Sequence, residues 1–284
     1  MTTTLASPTE SSADDRYEVV VVRHGTRNAL RSEVYLNFGL YGEPDGEHVV
    51  DYFFWIIRNS HRTILVDTGF TRDAALRRGR TILADPEAAY RELGIDPDLP
   101  VQIVVTHAHY DHIGNLGLFA NATIVIAEAE LAFWSTELAT REQIAHFTEP
   151  SELDVLASLH AAGKVQTFSG ILELAPGVDV IEVGGHTPGQ SMVKVATDHG
   201  TVLLASDAVH FREELTREMP FVSATNLIGM YEGFALVKRL VAQHEVDLVI
   251  PGHDADVLAT LEPYPLNVGS ALSGLVGRVR GGER

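Results

Sequence analysis

The 284-residue chain contains no cysteine, which excludes disulfides, thiolate nucleophiles and cysteine-ligated zinc. Positive charge is also scarce: 21 basic residues against 39 acidic ones give a formal charge of −18. A surface that acidic repels phosphate backbones and anionic headgroups, so neither nucleic acid nor a membrane surface is an expected partner. Arg77, Arg78 and Arg80 are the nearest approach to a basic run. No apolar stretch has bilayer-spanning length, and the most apolar short run, Tyr52 to Ile57, is strand-sized. Met1 to Asp15 is polar and Ser/Thr-rich without the apolar region of a secretory signal. The expectation is a disordered tail over 1–15 on a soluble, cytoplasmic protein.

What is present suits a folded core, since hydrophobic residues make up 45% of the chain. Valine-rich Tyr17 to Arg23 reads as a strand, followed by Val50 to Ile57 and Thr63 to Val66. Asp85 can cap a helix to Leu93, with Pro86 at its first position and Gly94 to end it. Val101 to Val105 and Thr123 to Ala127 are further strands, and 128–163 carries helical spacing. Strands resume at Val165 to Phe168, Val178 to Val183, Ser191 to Ala196 and Thr201 to Ala205. Tyr231 to His244 is amphipathic and helical, and Asp247 to Ile250 is a last strand. Two blocks of strands with helices between and after them predict an α+β fold of two sheets packed together, helices outside. It forms one domain over 16–265, ahead of a Gly-rich tail over 266–284.

The chemistry concentrates in Thr106-His107-Ala108-His109-Tyr110-Asp111-His112, directly after the strand Val101 to Val105. Neutral imidazole and carboxylate both suit zinc, iron, manganese or cobalt. His107 and His109 project to one side of an extended backbone, whereas Asp111 and His112 come from the following turn. One metal does not readily use all four; two neighbouring metals can. A single histidine among the 13 present is ordinarily a surface or core residue, but three histidines and an aspartate within six positions are not easily dismissed. Three further candidates share the same context, a strand end followed by small residues. They are His186 in Gly184-Gly185-His186-Thr187-Pro188-Gly189, Asp207 after Val202 to Ala205, and His253 after Val249-Ile250-Pro251-Gly252.

Together these motifs resemble the metallo-β-lactamase superfamily in its dinuclear form, in order from about Val19 to Asp254. The turn Val66-Asp67-Thr68-Gly69, which precedes the metal motif in that superfamily, belongs to the same resemblance. It implies an αββα sandwich of two mixed sheets with metals at one edge. It further implies that His107, His109 and His186 hold one divalent ion, that Asp111, His112 and His253 hold the other, and that Asp207 bridges them. Zinc is the first choice, with iron, manganese or cobalt as alternatives. Asp67 is placed beneath the metals, where it would fix a ligand histidine by a hydrogen bond; a turn-capping aspartate is the competing reading.

Within the superfamily, the bridging Asp207 and the lack of cysteine argue against antibiotic hydrolysis. Intervals of 74, 21 and 46 residues between His112, His186, Asp207 and His253, and the ending His253-Asp254, resemble the N-acyl-homoserine lactonase-like branch. That branch usually has a tyrosine three residues after the bridging aspartate; here the position is His210. The implied reaction opens a lactone or related cyclic ester by attack of a metal-bridging hydroxide, with Asp111 shuttling a proton and His210 touching the substrate carbonyl. Alternatives are a glyoxalase II-like thioesterase, another ester or amide hydrolase of the superfamily, and a mononuclear iron sulfur dioxygenase. Tyr35, Leu36, Phe38, Phe211, Phe221, Met230 and Tyr231 are candidates to line an apolar entrance, although aromatic residues are most often simply core. The expected partner is a small-molecule substrate, with a homodimer left open.

Overall fold

The structure is a computed structural model that describes residues 15–269 and 272–277. The predicted tail over 1–15 therefore falls, except for Asp15, outside the described residues. The strands are β1 (Glu18–Leu30), β2 (Glu47–Arg58), β3 (Thr63–Val66), β4 (Thr81–Ile82), β5 (Gln102–Val104), β6 (Thr123–Ala127) and β7 (Val165–Phe168). They continue as β8 (Ile171–Ala175), β9 (Val178–Glu182), β10 (Ser191–Thr197), β11 (Gly200–Ser206), β12 (Leu248–Pro251), β13 (Glu262–Tyr264) and β14 (Leu272–Val276). The helices are α1 (Arg31–Val34), α2 (Arg72–Arg78), α3 (Pro86–Glu92), α4 (Tyr110–Ile113) and α5 (Glu128–Phe133). After them come α6 (Glu142–Ala145), α7 (Pro150–Ala161), α8 (Arg212–Arg217) and α9 (Leu227–Ala242).

Among the described residues the larger sheet runs β13-β14-β1-β2-β3-β5-β6-β7, with β4 beside β1; the smaller runs β12-β11-β10-β9-β8. Both are mixed: β3, β5, β6 and β7 are parallel neighbours, as are β11 and β12, and the other pairs are antiparallel. The run of four valines in β1 shows why the layers form. Val19 and Val21 join the cluster between the sheets with Trp55, Val104, Val193 and Leu204. Val20 and Val22 face outward against Tyr90, Phe119 and Leu156, under α3 and α7. A strand buried on both faces needs no polar alternation. On the far side, Phe234 and Val237 of α9 cover Met192 and Leu203 of the smaller sheet. The result is the predicted αββα sandwich. Among the described residues no helix is long and apolar enough to cross a membrane.

Three differences from the sequence reading have local causes. Helix α9 begins at Leu227, four residues earlier than read, because the Asn226 side chain accepts a hydrogen bond from Gly229 N. Segment 128–163 is not one helical block but α5, α6 and α7 separated by short turns. The segment beyond residue 265, expected as a tail, carries β14, whose backbone pairs antiparallel with β1 from Val19 to Arg23. Its glycines hid a strand.

Candidate metal centre

The candidate ligands converge at one edge of the two sheets, where strand ends turn into loops. His107 and His109 follow β5, Asp111 and His112 lie in α4, His186 follows β9, Asp207 follows β11 and His253 follows β12. All seven are buried. The turns are unusual for non-glycine residues: Asp67 and Ser206 adopt left-handed φ values of 58° and 45°. A Cβ at position 252 would lie 2.7 Å from Asp207 Oδ1, so Gly252 is what lets the aspartate reach its place.

Asp207 divides the cluster. Its Oδ2 lies 3.3 Å from His186 Nε2 and 3.8 Å from His107 Nε2; its Oδ1 lies 3.3 Å from His112 Nε2, and His253 Nε2 sits near both oxygens, 3.1 Å from Oδ1 and 3.2 Å from Oδ2. His186 Nε2 is also 2.9 Å from His109 Nδ1, and Asp111 Oδ2 is 3.8–3.9 Å from His253 and His112 Nε2. Two adjoining groups thus have the spacing to hold a metal ion: His107, His109, His186 and Asp207, and Asp111, His112 and His253.

The outer nitrogen of four rings is fixed. His186 Nδ1 donates to Ser223 O and His253 Nδ1 to Asp51 O, each at 2.8 Å. His112 Nδ1 donates to Asp67 Oδ2 at 2.7 Å, while Thr106 N and Oγ1 also donate to Asp67. With its hydroxyl proton spent on Asp67, Thr106 Oγ1 accepts from His107 Nδ1 at 3.2 Å. Each bond commits a ring proton outward and leaves the inward nitrogen with its lone pair, as a metal ligand requires. Correspondingly, His107 Nε2, His112 Nε2, His210 Nε2 and Asp207 Oδ1 are buried without a hydrogen-bond partner among the described residues.

The charges agree. Burial holds His107 and His109 well below the ordinary imidazole range and takes His186 down to about 3, so these rings stay neutral. His112 goes the other way: burial opposes its charge, but Asp207, Asp67 and Asp111 outweigh it. Three carboxylates around one imidazole describe a place that calls for a cation. Burial would raise Asp207, yet His253, His112, His210 and His107 hold it well below the usual carboxylate range. Donor set, lone-pair direction and charge all fit a pair of divalent ions.

His210 is fully buried and turned toward Asp207, its Nε2 3.1 Å from Oδ2. Its ring stacks on Phe221 at 4.0 Å, and its Nδ1 lies 3.3 Å from Glu214 Oε2. Glu214 also accepts from the backbone N–H of His210, Phe211 and Phe221, tying the two loops together. Burial would lower His210, but Asp207 and Glu214 push it up to about 9.

A cleft of about 310 Å³ opens over the ligands and is lined in part by His109, Asp111, His186, Asp207, Phe221 and His253. Of the side chains expected at the entrance, Phe221 lines this cleft. Tyr35, Phe38 and Phe211 pack into a buried cluster with Tyr52 and Met219, Met230 lies on the buried face of α9, and Tyr231 is 37% exposed on the helix's outer side. An aromatic residue near a site in sequence finds the core more readily than the solvent boundary. Sequence reasoning did not single out Glu130, Tyr52 or Arg80. Glu130 accepts from Ala108 N and Gly189 N at 2.8 and 2.9 Å and from Trp134 Nε1 at 2.7 Å, joining two ligand loops. Its spacing of four from Trp134, on α5, was the available sign.

An αββα sandwich with two adjoining His/Asp groups at the edge of its sheets defines a class of metal-site proteins. The profile of the Metallo-beta-lactamase superfamily matches residues 50–253, and the chain belongs to that superfamily. Among curated relatives, an N-acyl homoserine lactonase of Bacillus sp. is 29% identical over 178 residues, 62% of this chain and 64% of that enzyme. The alignment thus spans just under two thirds of that relative. An N-acyl homoserine lactonase of Bacillus thuringiensis is 26% identical over 228 residues, 74% of this chain and 84% of that one. The structure of AidC, a dizinc quorum-quenching lactonase, superposes with a TM-score of 0.69 at 16% identity, covering 95% of this chain and 97% of that one.

Proposed function

We propose that the chain is a metal-dependent hydrolase that opens a lactone or related cyclic ester. In this reading His107, His109 and His186 hold one divalent ion, Asp111, His112 and His253 hold another, and Asp207 lies between them. Five imidazoles and two carboxylates suit zinc best. The observation that carries the reading is the place of the Asp207 carboxylate, within 3.3 Å of ring nitrogens from both groups, among rings whose protons are committed outward. The two curated relatives described above are lactonases, which favours a lactone, while other curated relatives, 27% identical over 219 residues, are acyl-coenzyme A thioesterases. When bound, the two ions supply a nucleophile at neutral pH and polarise the ester carbonyl.

The remaining work falls to side chains. Asp111 lines the cleft, and its carboxylate takes the proton released as the nucleophile attacks and returns it to the leaving alkoxide oxygen. His210 is a positioning residue: buried, held by Glu214 and with Nε2 3.1 Å from Asp207 Oδ2, it limits how the Asp207 carboxylate is turned. Phe221 covers His210 and presents its other side to the cleft, keeping water from that contact. A cleft of about 310 Å³ is near the lower end of the ~300–1,000 Å³ usual for ligand sites, which suits a small ring. A mononuclear iron dioxygenase would leave the buried Asp111, His112 and His253 without employment.

The test is zinc-loaded protein with measured metal content, assayed on γ-butyrolactone, N-hexanoyl homoserine lactone, an aryl ester, a thioester and a phosphodiester. Close to two ions per chain and lactone opening abolished by chelation are expected. One tight site with no second, or turnover of the phosphodiester alone, would overturn the reading.

A further inference from the structure

The cleft wall opposite in character to Phe221 carries two arginines, Arg27 and Arg80. Arg80 follows α2 and is only partly exposed. Its Nε donates to Tyr110 Oη at 3.0 Å and its Nη1 to Arg78 O at 2.6 Å, so the guanidinium is held in place by neutral acceptors. Among the described residues no carboxylate lies within 4.0 Å of it. The carboxylate that bears on it at longer range is Asp111, which the proposed function spends on a metal ion. The Arg27 side chain makes no hydrogen bond among the described residues, and its one ion pair there, to the half-exposed Glu33, is long at 3.7 Å.

In a chain with 39 acidic and 21 basic residues, acid partners for an arginine are plentiful. Arg31, Arg58, Arg78 and Arg217 each have a carboxylate within 3.0 Å. A partly buried guanidinium that is braced, left unneutralised and turned to a ligand cleft is placed for an anion from outside. A monoanion matches one unpaired arginine and a second that is half-neutralised; a phosphate dianion would ask for more positive charge.

We propose that Arg80, assisted by Arg27, receives a carboxylate on the substrate, so that the preferred lactone or ester is a small one bearing a carboxylate. This rests on the hydrolase reading above and deepens it, by naming a substrate class that differs from neutral acyl-homoserine lactones. Tyr110, between ligands His109 and Asp111, is the brace that relates the anion site to the reacting centre.

The test compares γ-butyrolactone with γ-carboxy-γ-butyrolactone, and with the phosphate ester of γ-hydroxymethyl-γ-butyrolactone, on zinc-loaded protein. The carboxylated ring is expected to show kcat/KM about tenfold or more above the neutral one, mainly through KM, as a charge-assisted contact provides. Arg80→Gln should lower that ratio by about tenfold, and Arg80→Lys should recover part of it; the ratio cancels any general loss of activity. Glutarate binding, measured by calorimetry on the same zinc-loaded proteins, should weaken in Arg80→Gln at unchanged zinc content. Equal kcat/KM for neutral and carboxylated rings, or a ratio untouched by Arg80→Gln, would overturn the carboxylate site while leaving lactone hydrolysis standing. Preference for the phosphorylated ring would overturn the choice of carboxylate. If no ring opened yet glutarate binding depended on Arg80, the anion site would stand and the hydrolase reading would fall.

Discussion

Two sets of buried carboxylates lie around the cleft, and they are treated differently by their surroundings. Asp207, Asp67 and Asp111 face imidazoles: Asp207 has four ring nitrogens within 3.3 Å, and Asp67 holds one at 2.7 Å. Glu130 and Glu214 instead collect backbone N–H groups from separate loops. Glu152, in the first turn of α7, has one oxygen with no hydrogen-bond partner among the described residues. The first set concentrates negative charge among imidazoles, which is how a protein prepares for a cation; the second spends most of its charge on tying backbone together. Burial alone does not distinguish them. The identity of the neighbouring donors does.

The comparison breaks first at Asp207, if anywhere. Asp207→Ala removes the oxygens shared by both groups and should lower lactone turnover by about a hundred- to a thousandfold, with metal content well below that of the parent. Elemental analysis and steady-state kinetics on one protein batch read both; full metal content would deny Asp207 its bridging place.

Asp67 comes next. Asp67→Asn keeps the shape but weakens the acceptor of His112 Nδ1, and should cost about 10–100-fold in metal affinity. The loss should fall on the group containing His112, so a competition titration with a chelator should show one ion released early and the other retained. Equal weakening of both would mean that Asp67 is a general support.

A smaller effect is expected at His210 and Glu214. His210→Ala or Glu214→Gln should reduce kcat roughly tenfold with metals still bound, because each frees the Asp207 carboxylate to turn. The double variant should be little worse than either single one, as befits two residues acting through one contact. Additive losses would separate their roles.

Glu152 should respond in the opposite direction. Burial, with Glu149 and Asp111 nearby, raises its carboxyl from 4.5 to about 8. The native state therefore keeps a proton that the unfolded chain releases near its ordinary value. Between pH 4.5 and 8 the native protein binds more protons, and stability falls as pH rises through that window. Glu152→Gln should flatten this decline and raise Tm at pH 8 by ~2–4 °C, the scale of about 1 kcal/mol in a chain of this class. Thermal unfolding across that range decides it; a parallel decline in both proteins would place the pH dependence elsewhere.

Much of this was legible in residue order, though unevenly. Thr63–Val66 and Thr123–Ala127 have the bounds that their apolar, β-branched runs predict, since strands buried on both faces show no alternation to misread. Strand β8 was not legible, because Ile171 at its start is 70% exposed on a sheet edge and the run lacks a clear pattern. Asp85 as a cap was readable, its side chain accepting from Ala88 N, whereas Asn226 was hidden by an apolar stretch read as helix only from Tyr231. The seven candidate ligands could be named because their spacing is a local property of four short segments. The six aromatic and methionine candidates for the entrance could not be sorted, and the structure puts one of them, Phe221, on the cleft.

The sequence by itself determined the class of fold, the donor atoms available and the absence of thiolate chemistry, because these follow from residue type, period and short spacing. Only the tertiary structure decided how those atoms face one another. It set Asp207 between the two groups, assigned outward protons to Ser223, Asp51, Asp67 and Thr106, turned His210 onto Asp207, and left Arg80 with no acid within 4.0 Å among the described residues. Apart from His107 with Thr106 and His210 with Asp207, which are neighbours in sequence, these relations join segments from different strands. Their chemistry is set by distances of three to four ångströms that close only when the two sheets pack, and no local pattern along the chain carries that information.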